Sequence, residues 1–275
     1  MMEWKTKQLF GLSFFNGSIA EAVKLISSAS EGNLPDGSLP LVITPNLDIL
    51  AQLNRIRTQN LSLWKQLQKS RFVFADGFPV LIASRLLKKS ISNVVPGADL
   101  LPQLIAATTS RRYLFIGPDE KTLQILSQKF EKETDHSMAW IAPPIMKIAS
   151  GKYDENVQQT VQKVRSFRPD FAIVGLGFPK QEQFSLAVLE QLGESDPKPL
   201  FMGFGASAEF LAGTKSRAPQ WMRRMKLEWF HRLLHEPKRL LIRYVKGALL
   251  FIPVMAQEFC RQYHSDSENN GSGNI

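Results

Sequence analysis

Cysteine is almost absent: Cys260 is the only one in 275 residues. No intramolecular disulfide can form, so a disulfide-stapled secreted fold is excluded and a reducing compartment fits the chain. Cys260 itself is expected to be a packing residue. Long apolar runs are missing too. The longest late one, Gly247 to Ala256, contains Pro253 and falls well short of the ~20 residues of a membrane-spanning helix. It can lie on a bilayer but cannot cross one. Met1 to Gly11 carries Glu3, Lys5 and Lys7 and lacks the apolar core and cleavage pattern of a signal peptide, so a cytoplasmic protein is expected. Histidine is scarce as well. His136, His231, His235 and His264 have no pattern of neighbouring acids or cysteines, and the one pair spaced four apart, His231 and His235, makes a poor site with two ligands. There is no D-x-D acidic pair, so neither a metal nor another cofactor is expected. Acidic residues are outnumbered, 25 Asp+Glu against 34 Lys+Arg for a formal charge of +9. That surplus favours an anionic partner: phosphates, nucleic acid or an acidic membrane surface.

What is present is a series of apolar runs, each ending in glycine or a polar turn and followed by helical periodicity. This is the signature of strand-turn-helix units around a parallel sheet. The runs are Leu39 to Thr44, Phe72 to Ala75, Tyr113 to Gly117, Phe171 to Gly175 and Leu200 to Gly203. Thr44 suits a helix N-cap and Pro45 a first helical position, which predicts a helix bearing Leu47, Leu50 and Leu53 from there. Amphipathic helices are predicted over 120–132 and 156–167, and turns at Pro35-Asp36-Gly37 and Pro143-Pro144. No fixed-period repeat is visible. From about Thr214 the composition changes to Lys and Arg interleaved with Trp221, Trp229, Phe230 and Tyr244. The expected architecture is α/β, a Rossmann-like, mostly parallel sheet flanked by helices, with a basic C-terminal helical appendage: a core over 1–213, a membrane-associating appendage over 214–260 and a disordered polar tail over 261–275.

Three constellations carry chemistry. Asp76 follows a buried strand between Phe74 and Phe78, where ligand sites of open α/β sheets lie. Partial desolvation there raises a carboxyl towards the range of a general base, while the competing role is a helix cap. The turn Gly175-Leu-Gly177-Phe-Pro179-Lys180-Gln181 opens a helix whose free amides, with Lys180, can receive phosphate oxygens; the alternative is that its glycines permit close strand-helix packing. Gly117, at the end of its own strand, is grouped with Gly175 and Gly177 as a substrate-binding candidate. Gly203-Phe-Gly205-Ala-Ser-Ala208 fits G-x-G-x-x-A, and Arg223 and Arg224 lie about twenty residues on, which keeps an NADP-dependent oxidoreductase as an alternative. The basic segment places Arg232, Arg239 and Arg243 on one helical face, suited to a diphosphate or an anionic leaflet, each basic residue near such a surface contributing roughly 1 kcal/mol. A non-catalytic membrane-surface adaptor is the remaining alternative. No RNA-recognition, KH or helix-turn-helix signature is present, so nucleic acid is not an expected partner. A homo-oligomer is left open.

The ordered stretches Thr44-Pro-Asn46, Phe74-Ala-Asp76-Gly77, Pro96-Gly-Ala-Asp99-Leu100, Pro169 through Glu182, Phe204-Gly-Ala-Ser-Ala-Glu209 with Ala212-Gly213, Arg217-Ala-Pro219, Leu227-Glu-Trp229, Arg232-Leu-Leu, Glu236-Pro237 and Arg243-Tyr244 together resemble the WecG/TagA/CpsF glycosyltransferases of bacterial surface-polysaccharide assembly. The resemblance implies a metal-independent, inverting transfer of a UDP-linked N-acetylmannosamine-type sugar to a polyprenyl-diphosphate-linked N-acetylglucosamine, at the inner face of the plasma membrane. It makes Asp76 the base. It places Thr44, Asn46 and Gln181 around the reacting sugars, Glu209 among the substrate-binding positions, and Arg232, Arg239 and Arg243 against the donor diphosphate. The chain departs from the family pattern at Val94, where an arginine is common, at Glu209, where aspartate is common, and at Ile242, where a second arginine is common.

Overall fold

The computed structural model describes residues 4–29, 37–142, 151–219, 221–222, 225 and 249–260, the first three of the stretch from 151 by backbone alone. Strands β1 (Thr6–Leu9) and β2 (Leu12–Phe15) form an antiparallel hairpin. Its two turn residues, Phe10 at φ 54° and Gly11 at φ 77°, have the left-handed conformations of a tight hairpin turn whose twist matches the strands. Helix α1 (Ile19–Ala29) follows, then β3 (Leu39–Ile43), α2 (Leu47–Gln59), α3 (Leu61–Gln68), β4 (Ser70–Val73), α4 (Phe78–Leu86) and α5 (Gly97–Ala107). The second half runs β5 (Arg112–Ile116), α6 (Glu120–Glu133), β6 (Ser137–Ile141), α7 (Gly151–Phe167), β7 (Phe171–Val174), α8 (Lys180–Gln191), β8 (Leu200–Gly203) and α9 (Ser207–Ala212). Residues 249–260 form a last helix, α10.

All eight strands join one sheet in the order β1-β2-β4-β3-β8-β7-β5-β6, parallel except for the β1 and β2 pair. The expected α/β architecture is therefore the observed one. The central strands β7 and β8 are buried at every residue, which is why they read as unbroken apolar runs. Alternate side chains feed two cores. On one face Leu41, Ile43, Leu114 and Val174 pack with α2, α3, α4, α7 and α8; on the other Val42, Phe72, Phe115 and Met202 pack with α1, α5, α6 and α9.

Helix α2 starts two residues later than predicted. Asn46, not Thr44, is its N-cap, with Oδ1 accepting from the Ile49 amide at 3.0 Å. Pro45 stays outside the helix because its carbonyl accepts the Asp76 amide at 3.0 Å. Thr44 is buried and donates from Oγ1 to the Gly203 carbonyl at 3.4 Å. Cys260 is exposed, contrary to its expected packing role. Pro35, Asp36, Pro143 and Pro144 lie outside the described residues, as do most of the basic segment and the polar tail. Helix α10 packs on the first core through Phe251, whose ring centroid is 5.5 Å from that of Phe10, and through Val254. No helix among the described residues is long and apolar enough to cross a membrane.

Candidate active site

A parallel sheet delivers all its strand-to-helix loops to one edge, and several of the residues selected from the sequence lie there. Reading across that edge, the loops after β4, β3, β8, β7 and β5 carry Asp76, Thr44 with Asn46, Gly205, Gly175 to Gln181, and Gly117 in turn. The chain leaves β5 outward to β6 and leaves β7 inward to β8. Strands β5 and β7 are adjacent, so a crevice opens between their carboxyl ends, the usual ligand position in such sheets.

The crevice is glycine-lined for steric reasons. Gly117 has φ 70° and hydrogen-bonds from its amide to Ile141, and a side chain there would meet Leu176 at 3.1 Å. At Gly175 a methyl would lie 2.9 Å from the Gly205 carbonyl, so the β7 and β8 loops touch only because residue 175 has no Cβ. Gly177 has φ 75° and open space around it. Pro179 is the N-cap of α8, behind a cis Phe178-Pro179 bond. Lys180 is exposed at the start of that helix.

Asp76 is half-buried one step beyond Ala75. Two backbone bonds pin this stretch, Asp76 N–H to Pro45 O at 3.0 Å and Val95 N–H to Ala75 O at 2.8 Å. The N-cap of α4 is Gly77 rather than Asp76, and that cap makes no side-chain hydrogen bond. Beside it lies an open groove of about 320 Å³ lined by Ser18, Ile19, Asn93, Val94, Pro96, Asp99 and Gln103. Val94 and Pro96 flank the residue bonded to Ala75, so the groove adjoins the Asp76 strand end. Its rim is set by two bonds from the 92–93 loop: Ser92 N–H to Asn16 Oδ1 at 2.7 Å and Asn93 Nδ2 to Gly17 O at 3.3 Å. The sequence reading missed Ser18, Asn93 and Gln103. None sits in a strand-glycine motif, and only the docking of β2 beside β4 brings Ser18 to this place.

Gln181 and Glu182 lie beneath the loops. Both are buried, at 3% and 1% exposure. Gln181 accepts at Oε1 from the Gly205 amide at 3.2 Å and donates from Nε2 to Glu182 Oε1 at 2.9 Å. Burial pushes the Glu182 carboxyl up to about 7, against the opposing hydrogen bonds from Gln181 and its own backbone. Its Oε2 has no hydrogen-bond partner among the described residues.

Glu209 sits on α9 with Oε1 at 3.7 Å from Lys215 Nζ, and its carbonyl accepts the Thr214 and Lys215 amides. It therefore braces the point where the C-terminal segment departs. Arg217 anchors the same segment to α5 through paired 2.9 Å bonds to Asp99 and a 3.1 Å bond to Ala98 O, beside the groove. Arg232, Arg239 and Arg243 lie outside the described residues. Among the described residues no three His, Cys, Asp or Glu side chains gather into a cluster that could hold a metal ion.

The G-x-G-x-x-A stretch does not have the setting of a dinucleotide fingerprint. It opens a helix of only six residues after the last strand among the described residues. Gly203 is glycine because a methyl would strike Gln181 Nε2 at 2.6 Å and Glu182 Oε1 at 2.8 Å. Gly205 is glycine for its φ of 50°, with nothing within 4 Å of a Cβ, and the short helix after the last described strand leaves no further strand to complete a dinucleotide-binding unit among the described residues.

The chain is similar to the N-acetylglucosaminyldiphosphoundecaprenol N-acetyl-beta-D-mannosaminyltransferase of Staphylococcus aureus strain MW2, with 25% identity over 261 residues that cover 92% of this chain and 91% of the relative. The enzyme of the same name from strain NCTC 8325 matches with the same identity and coverage. The family described as glycosyl transferase WecG/TagA/CpsF matches residues 7–265. On that span, which takes in every described strand of the sheet but the first residue of β1, the chain belongs to the WecG/TagA/CpsF family and is a glycosyltransferase.

Proposed function

We propose that the protein transfers an N-acetylmannosamine-type sugar from UDP to N-acetylglucosamine carried on a polyprenyl diphosphate, with inversion and without a metal ion. One observation carries this reading: the half-buried carboxylate Asp76, the polar pair Thr44 and Asn46, and the glycine-lined β5/β7 crevice share one sheet edge. Strands β4 and β7 are three strand spacings apart in the sheet order, roughly 14 Å at the usual inter-strand distance. A sugar with its diphosphate spans such a length, so the donor lies across the edge with its sugar towards Asp76 and its nucleotide towards the crevice.

In this reading the acceptor sugar enters the groove beside Asp76, where Asn93 and Gln103 offer amide groups over the apolar wall of Ile19, Val94 and Pro96. Asp76 takes the proton of the acceptor hydroxyl as its oxygen attacks the anomeric carbon. The bond from that carbon to the UDP oxygen breaks on the opposite face, which inverts the centre. UDP leaves with the electron pair, and Arg232, Arg239 and Arg243 are assigned to its growing charge. The names of the relatives supply the acceptor and the transferred sugar; the absence of a D-x-D pair and the supply of arginines support the metal-free form.

The lipid carrier requires the site to meet a membrane. Helix α10 exposes Leu249, Leu250, Ile252 and Phe259, and α4 exposes Ile82 and Leu86. Lys89 on the segment after α4 pairs with Glu258 of α10 at 3.5 Å, which makes these surfaces neighbours. With exposed Arg85 and Lys88 alongside, this face is assigned to an anionic leaflet on the cytoplasmic side.

The test uses purified protein, a panel of UDP-sugars and a short-chain polyprenyl-diphosphate N-acetylglucosamine analogue, with released UDP as the signal. UDP-N-acetylmannosamine or a close derivative is expected to turn over. Asp76→Asn is expected to retain donor binding in calorimetry and to lower kcat by about 10²- to 10⁴-fold, the usual contribution of a general base. Normal turnover by that variant removes Asp76 from the role.

A further inference from the structure

The β7 and β8 loops are joined underneath by one chain of side-chain contacts. Glu182 Oε1 accepts from Gln181 Nε2, and Gln181 Oε1 accepts from Gly205 N–H. An amide fits its cavity in two orientations of nearly equal shape, and its partners decide between them. Here the acceptor on Glu182 draws the NH₂ group, which leaves the amide oxygen facing Gly205. The reversed amide would set Nε2 against the Gly205 N–H, two donors with no acceptor between them. The heads of both side chains fill the space that a Cβ at Gly203 would take. The Gly203 carbonyl receives Thr44 Oγ1, and the Gly205 carbonyl packs against Gly175. One buried pair therefore sets three of the loops at the reacting edge.

We propose that Glu182 is a positioning residue for the transfer: it fixes the orientation of the Gln181 amide, and through it the Gly205 loop, against Thr44 and the Gly175 turn. The residue touches no substrate and acts only through Gln181. The inference rests on the glycosyl-transfer reading for its kinetic consequence, and on the hydrogen bonds alone for its structural one.

Two measurements on the full chain test it. The first is hydrogen exchange at the Gly205 amide, which needs no substrate. Glu182→Met keeps side-chain length without an acceptor and is expected to speed that exchange at least tenfold, whereas Glu182→Gln, which can present its own carbonyl, leaves it near wild type. The second is UDP release with the acceptor analogue. Glu182→Met is expected to lower kcat at least tenfold with donor KM within about threefold, Glu182→Gln to restore kcat to within about threefold, and Gln181→Ala to cancel the further effect of Glu182→Met. Should the Met variant not fold, Glu182→Asp, which withdraws the acceptor by one methylene, is expected to show the same loss. Unchanged Gly205 exchange, unchanged kcat, or fully additive losses at 181 and 182 overturn the proposal. Altered exchange in a protein whose wild type turns over no UDP-sugar sinks the transfer reading and leaves the clamp standing.

Discussion

Glu182 shows how one side chain ties stability to pH. Its carboxyl is held at about 7 against an ordinary value of 4.5, and the leading cause is desolvation. No charged neighbour is among the causes; hydrogen bonds from Gln181 and from its own backbone amide pull the other way. Below pH 4.5 both folded and unfolded chains hold the proton and the residue has no effect on the balance. Between 4.5 and 7 the unfolded chain releases the proton while the folded one keeps it, so stability falls as pH rises. Above 7 the loss levels off at about 3 kcal/mol, the gap between the two values expressed as free energy. Glu182→Gln removes the titration. Urea melts at pH 5 and pH 8 are expected to show the wild type losing most of that increment and the variant not losing it; equal pH dependence in both contradicts the burial of a neutral acid. Asp76, three residues beyond the end of β4, has a less buried setting, and the proposed reading assigns it the acceptor hydroxyl. On the proposed reading the two carboxyl groups differ in role as they differ in burial: the less buried one reacts and the buried one supports.

At the scale of elements, glycine separates two kinds of constraint that a sequence motif merges. Gly203 must be glycine because two buried polar heads occupy the Cβ position, at 2.6 and 2.8 Å. Gly177 must be glycine only for its φ of 75°, with nothing within 4 Å of a Cβ. Gly203→Ala is therefore expected to destabilise by about 1–3 kcal/mol through overpacking and to break the Gln181 contact to Gly205. Gly177→Ala is expected to stay near the ~1–2 kcal/mol strain of a left-handed residue. Activity of the two variants at matched stability tells them apart, since only Gly203→Ala disturbs the Gly205 loop. The strands themselves were legible where burial on both faces leaves an unbroken apolar run, as in β3, β5, β7 and β8. The β1-β2 hairpin turns on Phe-Gly rather than an Asn-Gly pair, and β6 lies at the sheet edge with half-exposed Met138, Ala139 and Trp140, so neither gives that signal. The helix-start error at Thr44 has the same origin: two capping residues lie two apart, and only the long-range bond from Asp76 to Pro45 decides between them. Asp76, Thr44 and the Gly175 turn were readable because each follows its own strand. That they share an edge depends on strand order, which local sequence does not encode, and the groove at Ser18 and Asn93 depends on it entirely.

For the whole molecule, the proposed function requires a chain with no membrane-crossing helix among its described residues to reach an acceptor anchored in lipid. On that reading the +9 charge would act on an anionic leaflet over about a Debye length, ~8 Å at physiological salt, and lose strength as salt is added. The exposed apolar residues of α10 act only on contact and are insensitive to salt. Ile252 and Leu250, 63% and 59% exposed, would each gain on the order of 1–2 kcal/mol on burial of their remaining surface. Leu250→Glu with Ile252→Glu removes that gain and adds two like charges, while Phe251 and Val254 keep α10 on the core. Sedimentation with vesicles of anionic phospholipid is expected to show at least tenfold weaker binding for this pair of substitutions, with residual binding that disappears at high salt. Turnover of the soluble short-chain acceptor is expected to remain at the wild-type level, because neither residue lies on the catalytic edge. Turnover of the full-length lipid acceptor in vesicles is expected to fall in step with binding. If both acceptors were used as well as by the wild type, the α10 face would have no part in docking and the basic residues would have to hold the enzyme at the leaflet by charge alone, a dependence that the same assay at raised salt would expose.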